Sequence, residues 1–277
     1  MTKQRVLITG ASTGIGRACA IRIARRGFTV FAGVRSSVDA ERLRAEVTGD
    51  LRPVQLDVTR SIEIEAMLAE MGGQPLAGLV NNAGIAIAGP LELIPMDAWR
   101  RQIEVNLLGL VAVTQACLPA LRSGRGRIVN IGSIAGRLAL PGSSAYDASK
   151  FAIEGLSDAL RMELRSFGVS VSLIEPGAIA TPIWKKSLAE ADSLLEQADP
   201  IIRAPYAPLM AKLRQEAEIS ARHAVPPDTV VQAVEHALTA RRPKARYLVG
   251  REARAMALLA RLPDRWRDWL ILNRMRA

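Results

Sequence analysis

The chain has 277 residues, of which 49% are hydrophobic and 4% aromatic, and it carries a net charge of +10. This supplies a large core for one domain or at most two. It excludes a base-stacking surface and a disulfide framework, since Cys19 and Cys117 are the only cysteines, and it leaves His223 and His236 with no partner at metal-ligand spacing, so no metal is expected. The basic residues are scattered apart from pairs such as Arg25–Arg26 and Arg241–Arg242. Attraction to anionic ligands or lipid headgroups therefore accounts for the charge, and nucleic acid is not expected as a partner.

From the N-terminus, "MTKQRVLITG" runs straight into a buried strand over 5–10, with no signal peptide expected before it. A helix over 16–27 stops at Gly27. A strand over 28–34, a helix over 39–47, a strand over 51–58 and a helix over 61–71 follow, the last with Ser61 as its expected cap. The pattern continues with a strand (76–84), a long helix (97–123), a strand (126–133), a helix beginning near Tyr146 and reaching about 167, and a strand (169–177). A helix over 227–240 and a strand over 245–250 close the series. No apolar run approaches the ~18 residues of a membrane span; the two cysteines suggest a reducing compartment, and a cytoplasmic location, free or peripherally membrane-associated, is expected. This alternation implies right-handed crossovers and a parallel sheet of about seven strands covered by helices on both faces, an α/β doubly wound fold. Ligands of such folds bind beyond the carboxyl ends of the strands.

The first such end reads "TGASTGIG" (9–16). Gly10 permits a tight turn, Gly14 lets backbone approach a pyrophosphate, and Gly16 lets the helix pack close to the strand, so that the helix N-terminus faces phosphate. The end of the second strand, where a carboxylate would hold a ribose 2′-hydroxyl, reads Val34-Arg35-Ser36 instead. Arg35 can pair with a 2′-phosphate and Ser36 can donate to it, which favours NADP over NAD.

"SSAYDASKFAIEGL" (143–156) places Tyr146 and Lys150 one helical turn apart, on one face. The ammonium favours the phenolate. To work at neutral pH the phenol must fall from ~10 by about 3, or ~4 kcal/mol, which needs a dry site and a second positive charge.

Together these residues resemble the short-chain dehydrogenase/reductase family. The match comprises "TGASTGIG" (9–16), "LDV" (56–58), "NNAG" (81–84), Asn106, "IVNIGS" (128–133), "YDASK" (146–150) and "PG" (176–177), in the family's order over about residues 5–177. The resemblance implies a Rossmann-type fold and hydride transfer between a nicotinamide and an alcohol or carbonyl carbon. Tyr146 would be the general acid/base. Lys150 would bind the nicotinamide ribose and lower the phenol, with the oxidised nicotinamide as the second positive charge. Ser133 would hold the substrate oxygen, and Asn106 would order a water linking Lys150 to solvent. Ser12, Thr13 and Ile15 accompany the three glycines in the coenzyme loop. Asp57 and Val58 would meet adenine, Asn82, Ala83 and Gly84 would wall the coenzyme, and Pro176, Gly177, Ile179 and Thr181 would meet its nicotinamide end. Homodimers or homotetramers through the helices carrying Asn106 and Tyr146 are also implied. The alternative is a protein that binds NADP(H) as a regulator or redox sensor without turnover.

Substrate choice is expected after Gly177, in a helical lid over about 178–225, with Ile183, Trp184, Leu188, Leu194, Tyr206 and Met210 as apolar lining and Gly84–Gly89 as a second apolar edge. Residues 1–250 then read as one catalytic domain and 251–277 as an amphipathic extension. In that extension Met256, Leu258, Leu259 and Leu262 precede Pro263, and Trp266, Trp269, Leu270 and Leu272 follow it. Arginines 251, 254, 261, 265, 267, 274 and 276 flank them. Such a pair of helices suits a membrane surface, a cover for the substrate pocket or a neighbouring subunit. The tail resembles that of retinol- and hydroxysteroid-type members, which implies a retinoid-, steroid- or long-chain lipid-like substrate.

Overall fold

Apolar, β-branched runs cannot leave either face in water, and the sheet they form is correspondingly enclosed. The computed structural model describes residues 4–276, with side chains to residue 274. The expected lead-in at residues 1–3 and the Arg276 side chain lie outside the described residues. The strands are β1 (Arg5–Ile8), β2 (Thr29–Val34), β3 (Leu51–Gln55), β4 (Gly78–Asn81), β5 (Arg127–Ile131), β6 (Ser170–Pro176) and β7 (Arg246–Val249). They make one parallel sheet in the order β3-β2-β1-β4-β5-β6-β7. Several strands end sooner than their apolar runs, because the last residues of each run turn out of the sheet to build the site.

Helices α1 (Gly14–Arg25), α2 (Ser37–Ala45) and α3 (Ser61–Met71) alternate with the first strands. The N-cap of α3 is Arg60, without a side-chain capping bond, so Ser61 is the first helical residue and not the expected cap. Glu63 instead reaches back to the Asp57 amide at 2.6 Å. On one face of the sheet α1 packs with α10 (Asp228–Thr239) through Cys19, Ile23, Val230 and Val234; on the other, Met67, Val113 and Cys117 form a second core. Burial pushes both cysteine thiols up to about 12, so they serve as core packing and not as nucleophiles.

The long helix is interrupted. It runs as α4 (Met96–Ile103), a π turn over Glu104–Leu108, and α5 (Gly109–Ser123). Taken together, Met96–Ser123 is long and apolar enough to cross a membrane, with a mean hydropathy of 1.5. This corrects the expectation that no run reaches that length. Its Val113, Cys117 and Leu121 are fully buried in the core, as expected of a helix covering a sheet. The chain continues through α6 (Ser144–Glu163), α7 (Ile183–Gln197), α8 (Pro200–Arg203) and α9 (Ala207–Arg222) to α10, then after β7 through α11 (Arg251–Leu259) and α12 (Asp264–Arg276). Strand β1 lies between β2 and β4, so the order reverses there, and a crevice opens at the carboxyl ends of β1 and β4.

Candidate active site

A cleft of about 620 Å³ fills that crevice and extends under α7 and α9. At its floor Gly10 takes φ +64°, and a Cβ there would stand 2.8 Å from the Ala83 backbone. A Cβ on Gly16 would stand 2.3 Å from the Gly10 carbonyl, so loop and helix approach as closely as glycine allows. The loop is held by its neighbour strand. The Thr9 hydroxyl accepts from the Asn82 and Ala83 amides at 2.9 and 3.0 Å, and the Asn82 side chain donates to the carbonyls of Thr9 and Gly10, both at 3.0 Å. Asn82 thus locks the glycine loop from behind as well as lining the cleft. Helix α1 begins after Thr13 with no side-chain cap and no acidic residue in its first turn. Its first N–H groups are available to an anion. Gly14, at φ +57°, faces Thr181 across the cleft.

Towards β2 the cleft is bordered by Val34, Arg35, Asp57 and Val58. Arg35 is exposed. Burial pushes the Asp57 carboxyl up, but hydrogen bonds from Thr59 and the charges of Arg35 and Arg60 outweigh it, and Asp57 sits below the usual carboxylate range. Ser36 does not border the cleft; its hydroxyl accepts from the Asp39 amide at 3.4 Å and caps α2.

Towards β5 the cleft meets Ser133, Tyr146 and Lys150. Tyr146 and Lys150 sit in the first two turns of α6, and the ammonium lies 5.6 Å from the phenol ring centre. Lys150 is 7% exposed and donates to the Ile131 carbonyl at 2.9 Å. Burial lowers it to about 8. Burial pushes the Tyr146 phenol up to about 12, opposed by a hydrogen bond with the Ser133 hydroxyl and assisted by the nearby Asp147 charge. Ser133 also caps the turn that follows it, accepting from the Ala135 amide at 3.1 Å.

Asn106 stands one layer behind the cleft, in the π turn. Its side chain accepts from the Ile85 amide at 2.8 Å and donates to the Ile85 carbonyl at 3.0 Å and to Ser149 Oγ at 3.1 Å. Ser149 donates in turn to the Tyr146 carbonyl at 2.7 Å. Asn106 therefore braces the chain beside Tyr146, and its side chain is fully engaged without touching Lys150.

The lid contributes Ile183, Trp184, Leu188 and Met210 to the cleft, and Trp184 is fixed by a 2.8 Å bond to the Ile179 carbonyl. Leu194 and Tyr206 do not line it. Leu194 packs instead with Ile87, Ile94 and Ala98, and the Tyr206 hydroxyl donates to Glu92 at 2.8 Å on the outside. Sequence reasoning missed the segment of Leu138, Leu140, Pro141 and Gly142, together with Leu195, Leu213 and Glu252, which also line the cleft. The first of these was legible, since the segment joining Ser133 to Tyr146 must border both. In the tail, α11 buries Ala253 and Ala257 and turns Met256 into the cleft, while Leu258 and Leu262 face outward. On α12, Trp266 and Trp269 are 69% and 59% exposed, with Leu270 and Leu272 also outward.

A glycine-walled cleft leading to a half-buried tyrosine beside a buried lysine is the arrangement of a dinucleotide-dependent oxidoreductase. Residues 4–192 match the short chain dehydrogenase family. Mouse retinol dehydrogenase 5 is 38% identical over 283 residues, covering 96% of this chain and 88% of the relative. A short chain dehydrogenase/reductase from Burkholderia phymatum, solved with NAD, aligns with a TM-score of 0.79 at 26% identity over 93% of this chain and 92% of that one. One from Burkholderia cenocepacia, solved with NADP, aligns at 0.72 and 27% over 95% and 94%. The chain belongs to the short-chain dehydrogenase family and is a short-chain alcohol dehydrogenase/ketoreductase with an NAD(P)-binding Rossmann fold.

The site wall carries a pH-dependent element. Asp147, buried beside Tyr146, accepts from the Leu140 amide at 2.9 Å and from Ser143 Oγ at 2.7 Å, yet burial outweighs these bonds and pushes it up to about 6. Between pH 4 and 6 the folded protein therefore holds this proton more tightly than the unfolded chain, and the stability it contributes is lost as pH rises through that window. In Asp147→Asn that component disappears. Thermal unfolding across this range should show the stability difference, wild type minus variant, falling as pH rises; a flat difference would contradict the assignment.

Proposed function

We propose that this enzyme transfers hydride between NADP(H) and a lipophilic alcohol or carbonyl compound, of retinoid-, steroid- or long-chain lipid-like character, with Tyr146 as the general acid/base. The observation that carries the reading is the single cleft running from the glycine loop past Tyr146 and Lys150 to a lid lined by Ile183, Trp184, Leu188 and Met210.

The residues present fit a nicotinamide dinucleotide. Gly10 and Gly14 hold open a cradle that a Cβ would obstruct or strain, and the uncapped start of α1 offers amides to the pyrophosphate. Ser12, Thr13 and Ile15 complete the loop, while Gly16 acts from behind by letting α1 approach it. Arg35 takes the 2′-phosphate; the second strand ends without a carboxylate that would repel it. Asp57 and Val58 receive the adenine, Asn82, Ala83 and Gly84 form the wall, and Pro176, Gly177, Ile179 and Thr181 border the nicotinamide end. When bound, the coenzyme supplies or accepts the hydride.

The chain's residues supply position, proton and charge. Ser133 donates to the substrate oxygen and to the charge developing there. The Tyr146 phenol gives that oxygen its proton in reduction and is left as the phenolate, and in oxidation the phenolate takes the proton back. Lys150 holds the coenzyme's ribose hydroxyls and its ammonium stabilises the phenolate. Asn106 positions α6 through Ser149. The exposed tryptophans of α12, flanked by arginines, rest on an anionic membrane surface. The outward Leu108, Phe151 and Met162 on α4–α6 form the contact of a homodimer or homotetramer.

Three measurements test these proposals. Tyr146→Phe should remove most turnover in a 340 nm assay over alcohols from small and polar to retinol, steroids and long-chain hydroxy lipids, while coenzyme affinity stays near wild type; normal turnover by the variant would sink the mechanism, and turnover only on small polar alcohols would sink the lipid reading. Arg35→Ala should raise KM for NADP by about 10–100-fold, the worth of one charge-assisted hydrogen bond, and leave KM for NAD almost unchanged; an equal effect on both would remove Arg35 as the selector. Sedimentation should give a dimer or tetramer in buffer, and pelleting with phosphatidylserine-containing vesicles that Trp266→Ser/Trp269→Ser weakens; a monomer refutes the first claim, and vesicle binding indifferent to the tryptophans refutes the second.

A further inference from the structure

Outside the cleft, a partly exposed charge network centred on the buried Glu175 joins the segments that carry its reactive groups. Arg137, four residues beyond Ser133, forks onto Glu175, with Nε on one carboxylate oxygen and Nη2 on the other at 2.9 Å. Glu175 is 0% exposed and directly precedes Pro176–Gly177. Arg246 of β7 lies 3.8 Å from Glu175 and pairs with Glu154, one turn beyond Lys150, and with Asp158 at 2.6 Å. The turn between Ser133 and Arg137 has little freedom. Gly136 presses on α6, where a Cβ would stand 2.8 Å from the Lys150 carbonyl, and Ile134 packs against Ala253 and Ala257 of α11.

None of Arg137, Glu154, Glu175 and Arg246 lines the cleft, so none is placed to touch substrate or coenzyme. A buried ion pair gives little stability beyond an apolar pair of similar volume. What a forked guanidinium–carboxylate pair does give is direction, because both nitrogens must meet both oxygens. Here that direction is given to the turn that starts at Ser133.

We infer that Arg137 and Glu175 are positioning residues: their forked pair fixes the Ser133 turn to the end of β6 and so holds the Ser133 hydroxyl in the cleft wall that it shares with Tyr146. The inference rests on the proposed role of Ser133, and it adds two residues that act through that hydroxyl.

The test is a double-mutant cycle on the full chain, read as kcat on an alcohol that the enzyme turns over, with coenzyme affinity by fluorescence titration as a count of folded sites. Ser133→Ala should lower kcat. Arg137→Ala should lower kcat by about 100-fold, as a misplacement near 1 Å can, with coenzyme affinity changed by no more than about threefold. In the Ser133→Ala background the same change should cost almost nothing further, because the group it positions is gone. Arg137→Lys should lose less than Arg137→Ala. Should Arg137→Ala fail to fold, Arg137→Lys and Glu175→Gln decide, each expected to lower kcat by about 10-fold and to lose that effect in the Ser133→Ala background. If Ser133→Ala keeps wild-type kcat, the role proposed for Ser133 fails and takes this inference with it. If Ser133→Ala is impaired but the Arg137 and Glu175 variants keep wild-type kcat, or lose equally in both backgrounds, the inference alone is overturned.

Discussion

The desolvation of Tyr146 and Lys150 is the constraint on which the rest of the site depends. Burial is the largest influence on both groups and disfavours their charged forms, with the phenol pushed up to about 12 and the ammonium down to about 8. At neutral pH the phenol therefore holds its proton firmly, while the ammonium keeps its charge. Yet the same low dielectric makes each nearby charge or dipole act more strongly than it would in water. The fold has therefore gathered compensating groups around the pair. The Ile131 carbonyl accepts from the ammonium, and the Ser133 hydroxyl opposes the rise of the phenol. On the proposed reading the remaining positive charge arrives with the oxidised coenzyme, so the site would be tuned for chemistry only when loaded.

That arrangement needs rigid backing, and most of it lies one layer behind the cleft. Asn106 ties the Ile85 backbone to Ser149, which ties to the Tyr146 carbonyl. Gln102 extends this brace by accepting from the Ile87 amide at 2.8 Å and donating to the Ile85 carbonyl at 3.0 Å. Thr9 and Asn82 do the same for the glycine loop. In each case a polar side chain satisfies irregular backbone that has no ladder partner, and this lets segments that carry chemistry leave regular structure without stranding their amides.

The architecture was legible because each strand is an apolar run ended by a turn residue and each helix has its own period. The glycine loop, Ser133, Tyr146 and Lys150 were legible because they fall at strand ends or within one helical turn. Other features depend on partners far away in the chain. Nothing local marks the π turn at Glu104–Leu108, which contains no proline or glycine and sits where Asn106 bonds to Ile85, 21 residues away. Leu194 and Leu195 are adjacent and equally apolar, yet one joins the core and the other the cleft, because the phase of α7 is set by what it rests on. Arg137 and Glu175 are 38 residues apart and become a pair only once β5 and β6 are neighbours. Ser61 had good capping chemistry, but Glu63 occupies the turn before α3 by bonding to the Asp57 amide.

The tail shows how one amphipathic segment divides its labour. Helix α11 uses its small residues, Ala253 and Ala257, to sit close on Ile134, next to Ser133, and presents Met256 and Glu252 to the cleft. Helix α12 keeps its large apolar residues outward and is tied to α9 by Arg274 and Glu216 at 3.3 Å, where Glu216 itself borders the cleft. The exposed tryptophans thus belong to a helix attached to the lid. A surface that receives them would hold the lid's outer helix at the boundary between water and lipid. For a lipophilic substrate this placement shortens the passage through water, which is the unfavourable part of its transfer from bilayer to cleft. Because α11 also supports the Ser133 turn, the segment that would meet the membrane is continuous with the one that steadies the reactive hydroxyl.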